Sequence, residues 1–175
     1  MSTPQFILEL REHIGHMPLW LIGVTGYVRR DDGLILLEQR SDNGKWTLVT
    51  GINEPGEEPA DTVAREAKEE TGVDVIVTDL VNVKSGHEVK TYINGDQTWY
   101  LDHLFLCEVA PDGNSEPIIG DDESKDVGWF SLDALPEPLA DSSRERIAYV
   151  QRYLRNREAG SAYAQFAFDG VIEHY

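Results

Sequence analysis

The chain has 175 residues, 41% of them apolar, and a formal net charge of −17. That length suits one domain with a small added element. The acidity argues against a non-specific binder of nucleic acid or anionic membrane, since such surfaces need clustered Lys and Arg, but it admits an anionic substrate because a metal ion inverts the local field.

The N-terminus lacks the basic-then-apolar layout of a signal peptide. No apolar run reaches the roughly 18 residues of a membrane span. The single cysteine, Cys107, sits in an apolar run and reads as a small buried hydrophobe. Together these lead to the expectation of a cytoplasmic protein. Thr3-Pro4 resembles an N-cap with proline at the first helical position, and Phe6, Leu10 and Ile14 recur at helical spacing up to Gly15. A short amphipathic helix is expected over residues 4–14, its apolar face meeting the domain or a second copy in a homodimer. His13 and His16 read as surface or packing histidines.

Residues 19–28 and 34–39 read as two strands of a hairpin around Asp31-Asp32-Gly33, and residues 46–49 as a short third strand. Strands are expected next over residues 73–77, 80–83 and 90–93. Asn94-Gly95-Asp96 is a hairpin turn signal, followed by a long strand over 99–109. An acidic loop spans 111–123, a strand 127–130 and a helical turn 131–135. Ser142 and Glu145 form a capping-box pattern opening a helix to about residue 156, with Ile147, Val150 and Leu154 on one face. Residues 159–175 have aromatics but weak periodicity, and are left open between a subunit contact, a packed tail and partial disorder.

The most informative stretch is 51–73. Pro59 suits the first turn of a helix and Gly72 the left-handed position that closes one. Ala60, Val63, Ala64 and Ala67 form a small apolar stripe. Glu66, Glu69 and Glu70 share another side, centred roughly 115° away. Neighbouring like charges on a helix repel, so a compensating cation is expected. Carboxylates suit hard divalent ions such as Mg2+ or Mn2+. The Gly51–Gly56 turn can bring Glu57 to the same cleft, and Arg65, one turn before Glu69, can pair with it. The bland alternative is a solvated charged helix, which the one-sided clustering and the fixed loop spacing disfavour.

Gly51, Glu57, Arg65, Glu66, Ala67, Glu69, Glu70, Gly72 and Val73 fill every defined position of G-x5-E-x7-R-E-U-x-E-E-x-G-U, where U is apolar. This pattern resembles the signature of the Nudix hydrolase family, MutT-like proteins among them. The one nearby departure, Thr50 where many members carry a second glycine, lies outside the signature. The resemblance implies an α/β fold, the Nudix α/β/α sandwich with a mixed β-sheet. It places that domain at residues 18–157, after an N-terminal helical extension (1–17) and before a C-terminal tail (158–175).

The resemblance also implies metal-dependent hydrolysis of a phosphoanhydride in a nucleotide derivative. Glu66, Glu69 and Glu70 would be metal ligands, with Gly51 at the same metal site and Glu57 as a further ligand or water-positioning carboxylate. Glu57, Arg65 and Glu69 would belong to the catalytic set. Glu123, six residues before Trp129, matches the spacing of an extra acid in some members and is a candidate base or ligand. Arg40 is the candidate phosphate contact and Trp46 the candidate base platform, with Tyr92, Trp99, Tyr100 and Trp129 as other aromatics, each with a core reading beside it. A (d)NTP-type substrate is favoured over ADP-ribose or another nucleotide sugar. A non-catalytic nucleotide-binding regulator would be expected to lack box glutamates, and all are present. No nucleic-acid or membrane partner is expected.

Overall fold

The computed structural model of the chain describes residues 3–120, 123–168 and 171–173. The elements in order are α1 (Gln5–Ile14), β1 (Leu19–Arg29), β2 (Ile35–Arg40), β3 (Trp46–Thr47), β4 (Val49–Ile52) and α2 (Pro59–Thr71). They continue as β5 (Val75–Ser85), β6 (Lys90–Thr91), β7 (Gln97–Val109), β8 (Ser124–Phe130), a 3-10 turn (Leu132–Ala134), α3 (Asp141–Glu158), β9 (Gln165–Phe168) and β10 (Val171–Glu173).

Strand β1 is the spine of a mixed sheet. It runs parallel to β7 along its whole length and antiparallel to β2 and β4. The path β10-β9-β5-β7-β1-β2-β3 carries β8 on β2 and β6 on β7. Parallel neighbours require a long crossover, and the one from β1 to β7 contains α2.

Both faces of the sheet are covered. Val24, Val28, Leu36, Phe105 and Cys107 pack with Val63 and Ala67 of α2. Tyr27, Ile35, Leu37, Leu104 and Leu106 pack with Ile147, Val150 and Tyr153 of α3. Burial on two sides explains the near-continuous apolar runs of β1 and β7. Each fully buried Leu, Ile or Val contributes about 1.5–3 kcal/mol.

Five local expectations are corrected by the structure. The two strands expected at 73–77 and 80–83 are one strand, β5, whose pairing with β7 shifts register at Val77/Asp79 and Leu80/Asn82. Such bulges interrupt the period-2 pattern that marks a strand. The single strand expected at 46–49 is split: β3 pairs with β2 and β4 with β1, with buried Leu48 between them.

Helix α1 has Pro4 as its N-cap and no side-chain cap, so Thr3 does not play that part. It also turns inward by a different face: Ile7 is buried, whereas Leu10 is 41% exposed. The reason is a polar tether to the 94–97 turn. Arg11 Nη2 donates to the Gln97 carbonyl at 2.7 Å, and Arg11 Nε lies 3.3 Å from Asp96 Oδ1. His16 Nδ1 is 2.8 Å from the same oxygen, a bond that holds the Asp96 carboxyl below the usual range.

The capping box at α3 is absent as well. Ala140 is the N-cap and no side chain caps it; Glu145 instead accepts from Lys84 and from the Tyr149 hydroxyl. Ser143 ties the helix start to the sheet, 3.0 Å from Thr47 Oγ1 and accepting from the Leu48 amide at 3.2 Å. In the tail, β9 adds to the sheet in parallel with β5 and β10 pairs with β9. Tyr175 lies outside the described residues.

Candidate active site

Helix α2 starts with Pro59 in its first turn and ends on Gly72 in the left-handed region (φ 71°). Only glycine adopts that backbone at little cost, and its amide closes the helix on the Lys68 carbonyl at 3.0 Å. The acidic loop seals the same end. The Gly120 amide donates to the Glu70 carbonyl at 3.1 Å and the Ile118 amide to the Thr71 carbonyl at 2.9 Å. Val63 and Ala67 hold the apolar side of α2 on the sheet.

The opposite side gathers three carboxylates on one guanidinium. Arg65 donates to Glu57 through Nε at 2.9 Å and Nη2 at 3.2 Å, a two-point fork. Its Nη1 donates to Glu66 Oε1 and to Glu69 Oε2, each at 3.0 Å. Glu57 is eight residues from Arg65, so the loop between them is folded back on the helix. The Arg65 fork, with help from Thr62, lowers the Glu57 carboxyl below its usual range. The same partners hold the Arg65 guanidinium firmly charged.

Glu66 differs from its neighbours. It is only 2% exposed, and loss of solvent pushes its carboxyl up to about 7 despite Arg65. The space for it exists because position 51 is glycine. A Cβ on Gly51 would stand 2.3 Å from Glu66 Cγ and 2.7 Å from Glu66 Oε1. Gly51 is paired with Val24, so the head of the box and Glu66 meet at the β1–β4 edge. Glu70 is also buried, 1% exposed, whereas the Glu69 side chain is 56% exposed.

Two residues that the sequence reading passed over position Glu57. Asn53 Nδ2 donates to the Glu57 carbonyl at 2.9 Å and to Thr62 Oγ1 at 2.7 Å, and Thr62 Oγ1 donates to Glu57 Oε2 at 2.8 Å. Thr62 lies three residues before Arg65 on the helix, a spacing that could have signalled it. An open depression of about 550 Å³ lies alongside, lined by Glu54, Glu57, Asp61 and Arg65 among others.

The donor set suits a divalent cation: clustered carboxylate oxygens, with those of Glu66 desolvated. Among the described residues, no three acidic, imidazole or thiol side chains already converge on one point. The guanidinium holds Glu57, Glu66 and Glu69 spread around itself.

Arg40 and Glu123, read separately from the sequence, come together. Arg40 Nη2 is 3.7 Å from Glu123 Oε2, Arg40 Nε donates to Asp42 at 3.0 Å, and the Ser41 amide meets the Glu123 carbonyl. Beside them, buried Glu38 accepts from Ser124 Oγ at 2.8 Å. Asp121 and Asp122 lie outside the described residues. Trp46 does not serve as an open platform. The residue is 8% exposed and its ring stands edge-on to Phe130 at 4.8 Å, within the α3-side core. Trp129 is tied to the acidic loop through Nε1 and the Ser115 carbonyl at 2.9 Å, with Arg30 stacked 5.0 Å above its ring.

Comparison with known proteins accords with this geometry. The chain is 36% identical to a MutT-like protein of Streptomyces ambofaciens over 124 residues, 71% of this chain and 72% of that one. It is 28% identical over 166 residues to the NAD-capped RNA hydrolase NudC of Pseudomonas aeruginosa, covering 88% of this chain and 55% of that one, so it spans about half the length of that relative. A MutT NUDIX hydrolase from Burkholderia pseudomallei superimposes with a TM-score of 0.59 at 28% identity, over 75% of this chain and 98% of that one. Residues 20–150 match the NUDIX domain, and the chain belongs to the Nudix family of hydrolases.

Proposed function

We propose that the protein hydrolyses a phosphoanhydride bond in a nucleoside diphosphate derivative with the help of a divalent metal, Mg2+ or Mn2+. The observation that carries this is the convergence of Glu57, Glu66 and Glu69 on Arg65 at one edge of the sheet. In this reading Glu66, Glu69 and Glu70 hold the metal, with Glu57 and the Gly51 backbone at the same site. When bound, the ion screens phosphate charge and acidifies a coordinated water.

The chain's own part is positioning. Arg65, Asn53 and Thr62 fix the Glu57 carboxylate, and Gly51 lets Glu66 reach the strand edge. Glu123 is the candidate base, and Arg40, already beside it, the candidate phosphate contact. The substrate is a small nucleotide, with a (d)NTP-type compound favoured. A second reading takes a dinucleotide as the substrate, which the likeness to NudC, an NAD-capped RNA hydrolase, favours. Residues 18–157 act as the Nudix domain, residues 1–17 as a helical extension and residues 158–175 as a tail. Among the described residues, no helix is long and apolar enough to cross a membrane. A single cysteine, the buried Cys107, leaves no internal disulfide to form, which fits a reducing compartment such as the cytoplasm.

The test is a panel of nucleoside triphosphates and nucleoside diphosphate derivatives with Mg2+, following phosphate or pyrophosphate release, with Mn2+ binding measured by calorimetry. Turnover of at least one nucleotide, lost in excess EDTA, is expected. Full activity in EDTA, or no turnover of any nucleotide, overturns the proposal.

A further inference from the structure

Two of the glutamates assigned to the metal, Glu69 and Glu70, lie in the last turn of α2. A last helical turn leaves its carbonyls without partners inside the helix, and it frays when nothing else takes them. Here a distant loop takes them. The Gly120 amide donates to the Glu70 carbonyl, the Ile118 amide to the Thr71 carbonyl, and Asn114 Nδ2 to the Gly72 carbonyl at 2.9 Å. Lys68 Nζ reaches the Gly72 carbonyl as well, at 3.3 Å. Three successive carbonyls are thus held by residues at least 42 positions farther along the chain.

The loop and the helix end also interlock. A Cβ on Gly120 would overlap the Glu69 carbonyl oxygen and stand 2.8 Å from its carbon, so the loop lies on this turn only because position 120 carries no side chain. The fit is reciprocal: a Cβ on Gly72 would overlap Ile118 Cγ1.

The loop is itself stiffened around Asn114. Asn114 Oδ1 accepts from the Glu116 amide at 3.2 Å, and Nδ2 donates to the Glu116 carbonyl at 2.8 Å. The Asn114 amide donates to Asp74 Oδ2 at 2.9 Å, and its carbonyl accepts from the Asp74 amide at 2.9 Å. Lys68 of α2 bonds to the same Asp74 at 2.9 Å. Beyond the loop the chain reaches Glu123, whose carbonyl accepts from the Ser41 amide at 2.6 Å. Three residues of extended chain span at most about 11 Å, so Gly120 limits how far Glu123 stands from the Glu69–Glu70 turn.

We propose that Gly120 and Asn114 are positioning residues for the hydrolysis. They clamp the 110–120 loop to the C-terminus of α2, hold the Glu69–Glu70 turn in place, and set its distance from Glu123 and Arg40. The inference rests on the metal-dependent reading above and adds the element that joins its parts. A loop that merely capped the helix would make the same hydrogen bonds. It would not tie a loop contact to metal affinity or to Glu123.

The experiment compares the full chain with Gly120→Ala, Asn114→Ala and Ser115→Ala. The last keeps the carbonyl that Trp129 uses and is the control within the loop. Exchange of the Ile118 amide is followed by NMR, Mn2+ affinity by calorimetry and hydrolysis by steady-state kinetics at saturating Mn2+. Thermal melts set a temperature at which the proteins are folded. In Gly120→Ala and Asn114→Ala the Ile118 amide is expected to exchange about tenfold faster or more. Mn2+ affinity falls about tenfold and kcat about 10–100-fold. Ser115→Ala matches the wild type in all three. In a Glu123→Gln background, Gly120→Ala costs at least about threefold less than in the wild type, because the two residues act together. If Gly120→Ala does not fold, Asn114→Ala carries the same measurements.

Wild-type Mn2+ affinity and kcat in the folded variants overturn the proposal even if Ile118 exchanges faster, since the loop is then only a cap. So do equal losses in Ser115→Ala, or equal losses with and without Glu123. If the wild type binds Mn2+ yet hydrolyses no nucleotide, the reaction reading falls and the Mn2+ affinities of the variants decide the clamp. If it hydrolyses nucleotides and the folded variants match it, the clamp falls and the reaction reading stands. A wild type that neither binds Mn2+ nor hydrolyses a nucleotide overturns both.

Discussion

Gly51 and Glu66 are in direct contact across the β4–α2 junction, so close that a methyl group on Gly51 would overlap the Glu66 side chain. A glycine at the head of the box and a glutamate fifteen positions later are therefore one structural unit. Gly51→Ala must displace Glu66 or the strand edge. The expected cost is about 1–3 kcal/mol of stability for overpacking. Hydrolysis should fall about 100-fold, as misplacement of a reacting group by about 1 Å does. Denaturant melts and steady-state kinetics check this; wild-type turnover in a folded Gly51→Ala protein would contradict it.

Arg65 makes a two-point fork with Glu57 and single bonds to Glu66 and Glu69. Lysine keeps the charge but not the fork. Arg65→Lys should lower kcat by about 10–100-fold with the fold retained, since outer partners of ligands carry effects of that size. Metal affinity from Mn2+ calorimetry should fall alongside. An unchanged rate and affinity would show that Glu57 needs no guanidinium to hold it.

Glu69 and Glu70 differ in burial, and the two conservative variants should differ in consequence. Glu69→Gln at an exposed side chain leaves the melting temperature near wild type. Glu70→Gln, at a side chain only 1% exposed, shifts it measurably. Both should cut turnover by roughly 10²-fold or more if the carboxylates hold the metal. Near wild-type turnover in either variant removes that residue from the metal site.

Glu123 stands beside Arg40 at the end of β2. If it acts as the base, Glu123→Gln should lower kcat by about 10²–10⁴-fold with KM little changed. A change confined to KM would assign it to holding Arg40 against phosphate instead.

Helix α1 is tethered to the 94–97 turn through Arg11, His16 and Asp96. Asp96→Ala should raise amide exchange across Gln5–Ile14 while leaving α2 protected. Light scattering on the same pair of proteins tests whether α1 also makes a subunit contact. A dimer that dissociates in the variant supports that role, and a monomer in both removes it.

The helix and its cap could be read from the chain because their determinants are local. Pro59, the alanine-rich stripe, the glutamates three and four apart and Gly72 all act within a few turns of backbone. Glu57 could be brought near by the intervening turn, yet its fork with Arg65 and its bonds from Asn53 and Thr62 required the folded loop. Trp46 shows the limit from the other side. As an aromatic it stood open between platform and core, and only its pairing with β2 and packing on Phe130 make it core.

By itself the sequence determined the helix that carries the glutamates and the resemblance to the family. A nine-position pattern brings like charges together on a helix, and the spacing that does so is set by 3.6 residues per turn. The tertiary structure alone decided what lies around that helix. The packing of α2 on β4 set Gly51 against Glu66, strand register aligned Gly23 with Asp102 and Ile52, and the packing of α3 on the sheet brought Arg146 to Asp102. Gly51 and Glu66 are fifteen residues apart and the other partners farther, and strand pairing together with the packing of α2 and α3 makes them neighbours.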